Sequence, residues 1–136
     1  MLKRLSSLVL LMTLALLLMA MGGKGSGFER TPRVEKNFAV QITDSSGNKI
    51  EGDKFSWEGR IHLDGSVGMA LVVIPFDKIK DLTIGEKRDR KVRVTVRLKE
   101  GGETTVDVDA DARCYGDAGF GSFMLIMGEI KSVTFK

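Results

Sequence analysis

The sequence predicts an all-β domain, a single sandwich or partly closed barrel, that follows an N-terminal apolar segment. Three observations carry this expectation: period-two alternation in successive stretches, glycine-rich turn signals between them, and one phrase written twice. The phrase "DGSVGMALVVIPFDKIKDLTI", residues 64–84, returns 51 positions later as "YGDAGFGSFMLIMGEIKSVTF", residues 115–135. No long helical stripe follows the apolar segment.

The first 22 residues have the layout of a secretory signal peptide. Lys3 and Arg4 give a basic start, Leu5 to Met21 is apolar, and Ala20-Met21-Gly22 supplies a small-x-small cleavage site. The alternative is a retained membrane anchor over residues 5–21, which is near the minimum length for a spanning helix. No cysteine follows the apolar run, so a lipid anchor has no attachment point. Either way the remainder is expected outside the cytoplasm, periplasmic or secreted. Residues 23–36, beginning "GKGSGFERTPR", read as a flexible tether, and residues 37–136 as the β-domain.

Charge and cysteine usage narrow the classes. Of the formal net charge of +3, two units belong to Lys3 and Arg4, which leaves +1 on the rest. No acidic partner is demanded. Cys114 is the sole cysteine, so no internal disulfide framework exists and stability must come from a core.

The strands can be taken in order. "FSWEGRIHL" places Phe55, Trp57, Gly59, Ile61 and Leu63 on one parity and Ser56, Glu58, Arg60 and His62 on the other, which predicts one half-buried strand. "RKVRVTVRL" puts Val92, Val94, Val96 and Leu98 inward. "TTVDVDADA" continues with Val106, Val108, Ala110 and Ala112 against Asp107, Asp109 and Asp111. "DSSGN" and "KEGGE" carry hairpin-turn chemistry. "MALVVI" and "FMLIM" are apolar on both parities, which predicts central strands covered on both faces. Pro75 can open a single helical turn that throws Ile79 inward.

The doubled phrase has five identities in 21 positions: Gly65/Gly116, Gly68/Gly119, Ile79/Ile130, Lys80/Lys131 and Thr83/Thr134. The agreement runs past the strand into "DKIKDLTI" and "GEIKSVTF", which predicts two tandem β repeats, about 38–86 and 87–136, sharing one core. The run Ile74-Pro75-Phe76 followed by Ile79 and Leu82 resembles the Ile-Pro-apolar, Ile, apolar ending of small exported bacterial β-domains. That resemblance implies an exported β-fold and carries over no functional residue.

Candidate chemistry is sparse. Cys114 shares the parity of Ala110 and Ala112, so it is expected buried. The single histidine, His62, lies on a polar parity with no third group to orient a Cys–His pair. Asp107, Asp109 and Asp111 suggest calcium, but carboxylates two apart on a strand stand roughly 6.6 Å apart. One ion needs its oxygens within about 2.6 Å, so the three cannot converge on an extended strand. "EKRDRKVRVTVRLK" is basic without interleaved aromatic residues for base stacking, so no nucleic-acid partner is expected. The glycines of "GDAGFG" are in the wrong order for a dinucleotide fingerprint. No catalytic, cofactor-binding or metal residue is assigned. The expectation is an exported non-catalytic binding module whose partner is an envelope protein or glycan. The alternative is a hydrolase using dispersed carboxylates such as Glu58, Asp111 or Asp117.

Overall fold

The computed structural model describes residues 30–136. The signal or anchor segment predicted over residues 1–22, and residues 23–29 of the tether, lie outside the described residues. Among the described residues no helix is long and apolar enough to cross a membrane. The described residues form ten strands: β1 (Val40–Asp44), β2 (Lys49–Trp57), β3 (His62–Val67), β4 (Ala70–Pro75), β5 (Ile79–Arg88), β6 (Lys91–Leu98), β7 (Glu103–Asp109), β8 (Arg113–Asp117), β9 (Ser122–Ile126) and β10 (Ile130–Phe135). All join one antiparallel sheet in the order β4-β3-β7-β6-β5-β10-β1-β2-β8-β9, curled as a half-barrel.

Alternation explains the core. Val92, Val94 and Val96 on β6 and Val106 and Val108 on β7 are buried, and the residues between them are exposed or half-buried. β-branched side chains suit such a pleated, one-sided surface. Phe38, Phe55, Phe76 and Phe135 close one end of the core, with Phe76 centred 5.0 Å from Phe135 and 5.4 Å from Phe55. Ring pairs of this kind add about 1 kcal/mol each beyond area burial.

Two single 3-10 turns make the corners. Phe76–Lys78 follows β4 and Met127–Glu129 follows β9, and each is succeeded by a buried isoleucine, Ile79 or Ile130. The corner predicted at Pro75 is present, and Phe76 is buried with Ile79.

The strand order is symmetrical about the β5–β10 seam. Replacing each strand by the one five later in the chain returns the same order read from the other end. At the seam Leu82 faces Val133, and these residues are 51 positions apart. The hairpins cross over: β3–β4 joins β7 through Ser66↔Asp107, while β8–β9 joins β2 through Asp53↔Asp117.

Three sequence expectations are corrected. "FSWEGRIHL" is not one strand. Glu58 and Gly59 both take positive φ (52° and 74°), and Trp57 and Arg60 exchange backbone hydrogen bonds across this two-residue turn. The alternation survived because a two-residue turn leaves the parity of the flanking strands unchanged. The aspartate strand ends at Asp109, where Ala112 N–H donates to Asp109 O. "MALVVI" and "FMLIM" are not central strands, since β4 and β9 are the two edges of the sheet.

Candidate functional site

Most of the predicted chemical groups make local structural contacts. Cys114 is 1 % exposed, and burial pushes its thiol up to about 12, too high to supply thiolate near neutrality. Its Sγ donates toward Met127 Sδ at 3.8 Å. Glu58 accepts the Arg113 N–H at 2.6 Å while its own N–H donates to Arg113 O, which ties the β2–β3 turn to β8. Asp109 accepts the Asp111 N–H and Asp117 accepts the Gly119 N–H, both at 2.9 Å, so each closes a local turn. Asp107 lies 3.7 Å from Arg93. Asp117 lines two shallow depressions whose walls include neither Glu58 nor Asp111.

One pairing was missed in the sequence. His62 Nδ1 lies 2.6 Å from Asp64 Oδ1, and Arg60 donates to the other oxygen at 3.0 Å. His62, Asp64 and Ser66 share the outer face of β3, so the i, i+2, i+4 spacing was the available signal. The order is wrong for nucleophilic catalysis, because the carboxylate stands between the other two. The strand rise puts His62 and Ser66 about 13 Å apart, beyond proton-transfer reach.

What the chain does present is apolar surface at the β3–β4 hairpin. Gly68 has φ +58° and forms the tight turn with Met69 between Val67 and Ala70. Beyond it Met69 is 102 % exposed, Leu71 90 % and Val73 59 %. Leu71 and Val73 share the outer face of β4, while Ile74 points inward and is buried beside Leu63. No charged residue occurs from Gly65 to Phe76. Edge strands usually carry a lysine, an internal proline or a bulge that discourages pairing, and β4 has Pro75 only at its end.

The opposite edge is built differently. All five β9 residues are half-buried, and the Phe123 ring lies over Gly52 and Gly116, where any Cβ would collide with it. Thr31 donates its N–H to Ser122 Oγ and its hydroxyl to Gly116 O, so the incoming chain lies against the start of β9. A depression of about 540 Å³ beside it is lined by Ile50, Phe120, Phe123 and Leu125. A second, of about 520 Å³, is lined by the charged residues Arg88, Lys91 and Arg93 with Glu86 and Asp107. Among the described residues no cluster of three or more His, Cys, Asp or Glu side chains could hold a metal.

A family model described as "Uncharacterised protein" matches residues 34–136. No curated protein and no solved structure matches the chain.

Proposed function

We propose, for a chain that belongs to this family of uncharacterised proteins, the role of an exported, non-catalytic binding module of the bacterial cell envelope. The observation that carries this reading is the uncharged apolar edge of β4, with Met69, Leu71 and Val73 open to solvent. A contiguous apolar patch of this kind on a soluble domain marks an interaction surface. Export rests on the basic, apolar and small-residue order of residues 1–22. The partner class is a protein or glycan of the envelope. The test is a pull-down from an envelope extract with the wild-type chain and with Leu71→Lys. A component retained by the first and lost by the second is the expected result. Equal recovery by both overturns the assignment of this edge.

We further infer that the domain arose by duplication of a five-stranded unit. Supporting this is register as well as sequence. Val40↔Gly52 in the β1–β2 hairpin and Val94↔Val106 in β6–β7 are related by a 54-residue shift. From β3 onward the shift is 51, and the three-residue difference falls at β2, whose register slips between Asp53 and Ser56.

A further inference from the structure

We propose that the occupant of the β4 edge is the β4 edge of a second copy of this chain, paired antiparallel about Val72. The proposal rests on the reading of the β4 edge as a binding surface and commits that surface to one occupant, a second copy of this chain in place of a foreign component. An edge strand offers a row of unpaired backbone groups, and an extended strand laid beside it supplies hydrogen bonds along its length. The occupant must therefore be an exposed strand, uncharged and apolar on both faces. β4 meets that description itself.

Side-chain sizes fix the register. With Val72 on the two-fold axis, Leu71 of one copy faces Val73 of the other on the outer face. On the inner face the small Ala70 meets the larger Ile74, and Val72 meets its own mate. The charge-free stretch from Gly65 to Phe76 brings no like charges together across the axis. Pro75, which has no N–H, ends the pairing and discourages longer registers. Each copy brings Leu71 and Val73, 90 % and 59 % exposed, to the shared outer face, where each removes the other from water.

The other edge is unsuited to the same role. A β4-to-β9 contact would be head-to-tail and would build a ring or an open filament, whereas β4-to-β4 closes as a dimer. Thr31 lies against Ser122 at the start of β9, and the β9 side chains are half-buried. No described segment covers β4 in this way, since Leu71 and Met69 are almost fully exposed.

The experiment is disulfide trapping in the full chain. Val72→Cys places two thiols across the axis, at the cross-strand Cβ spacing of about 5 Å that a disulfide can close with slight adjustment. Cys114 is buried and does not compete. Met69→Cys is the control: it is more exposed, yet this register separates it from its own mate by about 20 Å. The expected result is a linked dimer from Val72→Cys and at least a ten-fold lower yield from Met69→Cys. Adding Leu71→Lys to Val72→Cys should reduce linkage by a similar factor while leaving the thermal midpoint of the reduced, dilute monomer unchanged. Linkage of Met69→Cys equal to or above that of Val72→Cys, or insensitivity to Leu71→Lys, overturns the proposal. A chain that sediments as a monomer at all concentrations yet loses an envelope partner in Leu71→Lys also overturns it, while leaving the binding role intact. A Leu71→Lys-sensitive dimer that captures no envelope component supports the pairing and removes the foreign partner.

Discussion

At the scale of the residue, Cys114 and Ser56 make opposite predictions from the same cause, burial. Cys114 is apolar enough to be content in the core, and its depressed acidity follows from the cost of placing a thiolate there. Native protein should react with a thiol reagent on the order of 100-fold more slowly than denatured protein. Fast labelling without denaturant would refute the burial. The thiol also couples stability to pH. Its ordinary value of 9.0 is raised to about 12 in the fold, so between these pH values the unfolded chain loses a proton that the folded chain keeps. Stability is unaffected below pH 9 and falls as pH rises, by up to about 1.4 kcal/mol per pH unit. Urea titration at pH 8 and pH 10 should show this loss in the wild type and a smaller one in Cys114→Ala. Ser56 is fully buried and its Oγ has no hydrogen-bond partner. Removing an unpaired buried hydroxyl relieves a desolvation penalty, so Ser56→Ala should stabilise by about 1 kcal/mol. A lower denaturation midpoint in that variant would show that the hydroxyl is in use.

At the scale of the element, glycine placement decides which strands can cross. A Cβ on Gly65 would lie 2.9 Å from Asp107 O, a backbone atom that cannot swing aside, next to the Ser66↔Asp107 pair that joins β3 to β7. Gly65→Ala should cost about 1–3 kcal/mol by forcing that seam apart, measured by chemical denaturation. Gly121 has open space around its Cβ position and is the matched control, expected to be near neutral on Ala substitution. Much of the element plan was legible in the sequence. The valines of β6 and β7, the two hairpin turns and the corner after Pro75 all follow from local pattern. The ranks of β4 and β9 were not legible. A run that is apolar on both parities looks the same whether neighbours cover it or it waits at an edge, because strand order is a long-range property. The Glu58–Gly59 turn was hidden for a related reason: its two residues preserved the parity on which the single strand was predicted. The candidate site was invisible for the same cause, since it exists only because β4 has no neighbour beyond it.

At the scale of the whole molecule, the crossed hairpins make the two halves interdependent. β3 and β4, from the first half, complete a sheet edge against β7 of the second, and β8 and β9 do the same against β2. Expressed separately, residues 38–86 and 87–136 should each fail to unfold cooperatively, and mixing them should restore a transition. A half that melts alone with a stability near that of the intact domain would contradict the single core. If residues 1–22 are removed on export, intact mass should place the new terminus near Gly23, whereas a full-length mass in the membrane fraction would establish the anchor. The symmetrical seam has a consequence for timing. Val40 pairs with Phe135 and Ile42 with Val133, so the first of the described strands to be synthesised waits for the last of them. Until β10 has been made, β1 and β5 flank an empty lane and the half-barrel cannot curl shut. Pairings this distant along the chain also form slowly, in milliseconds to seconds. If the chain is exported as proposed, the delay is useful: it would reach a membrane channel as an open thread, and the compact form would arise only on the far side.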